Sequence, residues 1–107
     1  MFTRIVECHV KAAKKDEMMT RLTNEVLPIL QSHAGFVDLI GLTDEHDPDR
    51  LLAISMWRNK EDAERYHREN FQRVTDILRS ALKRDPIVQT FHVDTSTAHR
   101  IAAGKAA

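Results

Sequence analysis

The stretch WRNKEDAERYHRENF, residues 57–71, concentrates the side chains that could do chemistry. His67 carries an imidazole whose ordinary pKa is about 6.5, which suits a general base near neutral pH. Asn70 can orient a substrate oxygen through its amide, and Tyr66 can donate its phenol to one. Trp57 can offer its indole N–H or its face to an aromatic ligand, and Phe71 can stack on a ring. With Ala63 at zero and about 100° per residue, Val74, Ile77, Leu78 and Ala81 fall within about 60° of it. His67 and Asn70 fall in the same arc, flanked by Tyr66 and Phe71. A continuous helix therefore aims an imidazole and an amide at whatever it packs on. A buried polar group without a partner costs about 1–3 kcal/mol, so such a wall fits a wet or ligand-filled pocket. The alternative is a helix break near residues 68–70, which turns His67 to solvent and leaves Asn70 as a cap. Trp57 also has a plainer role, because a large side chain in a buried pattern at a strand end serves packing alone.

The surrounding pattern supplies the elements that hold such a helix. Residues 2–10 read as a strand, with Val6, Cys8 and Val10 on one face and Ile5 on the other. Met18, Met19, Leu22, Val26, Ile29 and Leu30 then form one helical stripe. Pro28 inside it predicts a kink or an irregular last turn, and Gly35 predicts a left-handed stop. Residues 36–43 and 51–58 read as strands around the acidic turn DEHDPD. Asn59 is placed to cap the next helix by accepting from the backbone N–H of Asp62. KRDP ends that helix, and residues 87–93 make a fourth strand. The order β-α-β-β-α-β is the ferredoxin-like, split βαβ pattern of the α+β class. It predicts a four-stranded antiparallel sheet with two helices on one face. The domain spans 1–94, and residues 95–107 read as a C-terminal tail or arm.

The chain has 107 residues, with 16 Lys+Arg balanced by 16 Asp+Glu. That balance argues against electrostatic binding of nucleic acid or of anionic membrane. No apolar run reaches the ~20 residues of a membrane helix. Cys8 is the single cysteine, and no signal-peptide pattern is present, so a cytoplasmic location is expected.

Strands two and three are apolar on both faces. Leu51, Ala53 and Trp57 oppose Leu52, Ile54 and Met56, while Phe36, Ile40 and Leu42 oppose Val37 and Leu39. Helices on one side should leave the other side polar. An apolar second face of several hundred Å2 is rarely left in water, and covering it at ~25 cal/mol per Å2 is strongly favourable. A homodimer through the sheet face is therefore expected.

Other candidates carry less. His9 and His92 lie on first and last strands that pair in this topology, which could make them neighbours, yet no third ligand is evident and no metal is expected. DEHDPD lacks calcium-loop spacing. His33, His46 and His99 lie in loops or the tail and are assigned no role. Cys8 reads as a small core hydrophobe.

GFVDLIGL, ISMWRNKEDAERY, FQRV and PIVQTFHV, in that order and spacing, resemble the antibiotic biosynthesis monooxygenase domain of the dimeric α+β barrel superfamily. The likeness covers roughly residues 2 to 94. It implies a homodimer with a small cavity in each subunit between helices and sheet. It also implies O2-dependent oxidation of a small quinol or phenolic aromatic without metal or organic cofactor. Under it His67 is the base, Asn70 and Tyr66 orient the oxygens, and Trp57 and Phe71 stack on the ring. Other relatives bind or degrade haem, but the Asn, Trp, His set of that branch is not matched: Tyr66 stands at the Trp, and VTD where the His belongs. The alternative from another class is a non-catalytic small-ligand-binding or assembly module.

Overall fold

The computed structural model describes residues 1–101. Its strands are β1 (Phe2–His9), β2 (Phe36–Thr43), β3 (Arg50–Trp57) and β4 (Ile87–His92). They form one antiparallel sheet in the order β2-β3-β1-β4. Two helical rods cover one face. The first joins α1 (Lys15–Arg21), a wide π-type turn (Leu22–Val26) and α2 (Leu27–Gln31); the second joins α3 (Lys60–Tyr66), a π-type turn (His67–Phe71) and α4 (Gln72–Leu78). This is the expected ferredoxin-like α+β architecture, with strand limits within a residue or two of those read from the pattern.

The connections follow from local chemistry. In the β2–β3 hairpin, Asp44 Oδ1 accepts from the backbone N–H of His46 (2.8 Å) and Asp47 (3.1 Å), so the acidic turn is held by its own side chain. Asn59 Oδ1 accepts from the Asp62 N–H at 2.9 Å, the expected cap of α3. Gly35 has φ 84°, and a Cβ there would lie 2.0 Å from Asp62 Oδ2, so only glycine fits between the first rod and the N-terminus of the second.

Around Pro28 the first rod is irregular: it is widened just upstream. Proline has no N–H to give the Asn24 carbonyl, and its ring crowds that turn. The chain absorbs the misfit just upstream, where the Leu27 N–H donates five residues back, to the Leu22 carbonyl.

Alternation sorts the sheet. Phe2, Arg4, Val6 and Cys8 of β1 face the rods, level with Trp57, Ser55, Ala53 and Leu51 of β3. In β2 a bulge between Phe36 and Asp38 changes the phase. Phe36 therefore joins the rod side against Trp57, with ring centroids 5.6 Å apart, while Ile40 and Leu42 stay on the other side. The expectation that those three share a face is corrected by this extra residue.

On the open face, Ile40, Ile54 and Ile5 form one row, and Leu42 and Leu52 the next. Ile40 and Leu42 are 40% and 44% exposed, and Ile87 and Phe91 of β4 are 49% and 46% exposed. One end of this face is covered by the chain itself. After β4, the Val93 N–H donates to the Met1 carbonyl at 2.9 Å, and His99 Nε2 comes within 3.7 Å of Asp38 Oδ2 on the far edge strand. The segment thus crosses the row Phe91–Thr3–Met56–Asp38, and Thr3, Met56 and Ile101 are buried. The rest of the expected tail, 102–107, lies outside the described residues.

Candidate active site

Between rods and sheet lies a cavity of about 140 Å3. An engineered apolar cavity of about 150 Å3 takes benzene, so the space suits a single aromatic ring. Val6, Cys8, Leu39, Leu51 and Ala53 wall it from the sheet; Met18, Leu22, Val26, Val74 and Leu78 wall it from the rods. Gly41 adds room, since a Cβ there would meet nothing within 4 Å. Met19 of α1, 48% exposed, also lines the cavity. Side-chain polarity enters through Arg4, Thr43, Ser55, Tyr66 and Thr75.

The helix phase decides which predicted residues arrive. The wide turn at His67–Phe71 holds one residue more than an α-turn would. The apolar stripe therefore runs through Ala63, Tyr66 and Phe71 and resumes at Val74, Thr75 and Leu78. Tyr66 and Phe71 line the cavity. His67 and Asn70, expected to face it on a regular helix, do not. His67 is exposed and turns to a neighbouring cleft with Lys60, Glu64, Arg68, Val88 and Thr90. The Asn70 amide donates to His33 Nε2 at 2.7 Å, tying the wide turn to the loop before β2. Trp57 is fully buried behind Tyr66, with ring centroids 5.2 Å apart and planes at 26°, and its indole N–H donates to Ser55 Oγ at 3.0 Å.

Two residues at this site were passed over in the sequence. His33 packs edge-on against Tyr66 at 5.4 Å and Trp57 at 6.3 Å. Arg4 is 3% exposed, and its guanidinium carbon lies 5.0 Å from the Tyr66 ring centre and 4.7 Å from that of Phe71. Its Nη2 donates to His67 Nδ1 at 2.9 Å, and the His67 and Phe71 rings stack at 5.0 Å. The signal for Arg4 was present: the alternation through Val6 and Cys8, extended back two residues, puts a charge on the buried face.

The electrostatics follow from this packing. Burial lowers the Arg4 pKa, opposed by the Tyr66 phenol. Burial raises that of Tyr66, opposed by the charge of Arg4. Desolvation, then the Arg4 charge, lowers that of His67. His67 accepts at Nδ1, so the neutral ring carries its proton on Nε2. A histidine with a depressed folded pKa contributes stability that is present above its unfolded value, about 6.5, and lost as pH falls through the folded value. Melting temperature is therefore expected to drop on acidification below about pH 6.5. His67→Gln, whose amide oxygen still accepts from Arg4 but does not titrate, should flatten that drop. An unchanged profile in the variant would assign it to another group.

The remaining candidates separate. Phe2 pairs with His92 and His9 with Arg50, so the two histidines sit at opposite ends of β1, contrary to the neighbouring pair expected. Among the described residues there is no group of three or more metal-ligating side chains. Cys8 is buried, and burial pushes its thiol up to about 11.

No curated protein matches the chain. Solved structures share its fold at low identity. A conserved protein from Methanosarcina mazei superposes with a TM-score of 0.72 at 18% identity, covering 86% of this chain and 92% of its own. A Nitrosomonas europaea protein whose name carries antibiotic biosynthesis monooxygenase gives 0.72 at 15%, covering 87% and 98%. A similarly named Bordetella bronchiseptica protein gives 0.76 at 12%, covering 86% and 95%. No helix among the described residues is long and apolar enough to cross a membrane. The sequence pattern of the antibiotic biosynthesis monooxygenase family matches residues 1–76, well over half of the 107, and with the fold and the helix–sheet cavity it identifies the chain as a member of that family.

Proposed function

We propose that the protein oxidises a small quinol or phenolic aromatic with O2 in the helix–sheet cavity, without metal or organic cofactor. The observation that carries this reading is a one-ring apolar chamber whose polar end is built from Tyr66 and Arg4. A ring in that space has its oxygen at the Tyr66 hydroxyl and its edge against Phe71. The phenolic proton passes to bulk water, leaving an electron-rich anion that the fixed donors Arg4 and Tyr66 favour. The anion passes one electron to O2, and the radical pair joins a ring carbon to oxygen. The resulting hydroperoxide loses water, so the phenolic C–O–H, one ring C–H and O2 become two ring C=O groups and H2O. A quinol instead gives up two electrons and two protons, yielding quinone and H2O2.

The residue roles shift with the geometry. His67 Nδ1 is already occupied by Arg4 and its ring lies outside the chamber, so His67 acts by positioning Arg4 and not as the base. Asn70 holds the wide turn, and Trp57 backs Tyr66. Loss of a general base typically costs 10²–10⁴-fold in rate, so His67→Ala is expected to fall short of that range.

We further propose that two copies pair through the open sheet face, where Ile40, Ile54 and Leu42 lie outside the row crossed by residues 93–101.

Oxygen uptake with a panel of single-ring quinols, compared with anaerobic controls, tests the activity. Uptake is expected in the wild type and is expected to be lost in Gly41→Leu, which fills the chamber from a position with open space above it. No uptake across the panel would leave a ligand-binding module as the better reading.

A further inference from the structure

We propose that the ligand of this cavity is an anion before any chemistry begins: a single aromatic ring bearing a carboxylate or an acidic phenolate, paired with Arg4. The proposal rests on the cavity being a ligand site, but not on oxidation taking place there.

Arg4 is a buried cation whose partners among the described residues are neutral. Its contacts are the His67 imidazole at 2.9 Å, the ring and phenol of Tyr66 and the face of Phe71. Its row of the sheet holds Ser55 on β3, Leu39 on β2 and Thr90 on β4, none of them charged. The acid along the adjoining cleft, Glu64, lies 3.8 Å from Lys60. An arginine kept from water normally meets a carboxylate in a bidentate fork, because its donors are fixed in a plane that fits one. A buried charge without its counter-ion is unfavourable for the fold, and two ring faces offset only part of that.

Among the described residues lining this one-ring chamber Arg4 alone is charged, and it also lines the cleft by His67. The side chains there supply a ring's walls and a positive end but no negative one. A ligand carrying its own oxyanion completes the set. The neutral tautomer of His67 fits the same purpose, since its Nδ1 holds Arg4 in place without neutralising it.

Calorimetric titration of the full chain under nitrogen at pH 7, with benzoate and with its neutral counterpart benzamide, tests this. Benzoate is expected to bind at least tenfold more tightly. Gly41→Leu should abolish binding of both, which locates the ligand in the cavity and not in the cleft by His67. Arg4→Met should reduce benzoate to the benzamide level and raise the melting temperature of the unliganded protein. Arg4→Lys should keep part of the preference. Equal affinities in the wild type, no binding of benzoate at millimolar concentration, or a preference undiminished in Arg4→Met or Gly41→Leu would overturn the proposal. If Arg4→Met does not fold, the wild-type ratio and Arg4→Lys decide. No oxygen is consumed under nitrogen, so the two readings fail separately. A benzoate preference without quinol turnover removes only the oxidation. Turnover of quinols by a protein indifferent to charge removes only the anion.

Discussion

Trp57→Ala is expected to lower the melting temperature by more than about 10 °C. Truncating a buried tryptophan or phenylalanine costs about 3–5 kcal/mol, and a domain of this size has about 5–15 kcal/mol in total. Each 1 kcal/mol moves the melting point of a small domain by about 4–8 °C. Trp57 is 0% exposed and touches Tyr66, Phe36 and His33, so its removal leaves a hole that three elements share. Trp57→Phe keeps part of the stacking but leaves Ser55 Oγ without its indole donor, and about 1 kcal/mol is the expected loss. Thermal melts followed by circular dichroism check both. The sequence leaves Trp57 two roles, packing at a strand end or, under the family resemblance, stacking on a substrate ring. A variant that melts near the wild type but binds ligand poorly would restore the second.

Ile54→Asp is expected to give a folded monomer. Ile54 is half-buried at the middle of the open face, between Ile40 and Ile5, and a carboxylate there can reach water in a single chain. In a pair of copies the same group is enclosed, once from each side. Desolvating a charge costs several kcal/mol per ion, and about 4 kcal/mol is already a thousandfold in dissociation constant. Sedimentation velocity at micromolar concentration should show the wild type as a dimer and the variant as a monomer. A monomeric wild type, or a variant that stays paired, would remove the sheet face as the interface.

The strands, both rods, the Asn59 cap and the Gly35 stop could be read from the sequence because each rests on neighbours a few residues away. The site could not be read so well, and the reasons are local. A π-type turn has no composition of its own. Pro28 gives the first one away, but nothing comparable marks the second. Its trace is a conflict: His67 and Asn70 stand where a regular helix wants apolar groups, and Phe71 comes one place late. A wet pocket wall and a broken helix were the two ways of resolving that conflict, and the backbone takes a third. The bulge at Val37 hid the true side of Phe36 in the same manner. Arg4 was visible by alternation, but its partners come from α3 and the wide turn, more than 60 residues away, which no local pattern reports.

The extra residue in His67–Phe71 gives this chamber a mode of adjustment that side-chain replacement lacks. Rewinding the same residues at an even α-helical pitch would rotate α3 against α4 by roughly a quarter turn. The imidazole of His67 would swing inward and Tyr66 would move to the flank. Two different sets of reactive groups are therefore separated by the pitch of one turn, with the sheet below left untouched.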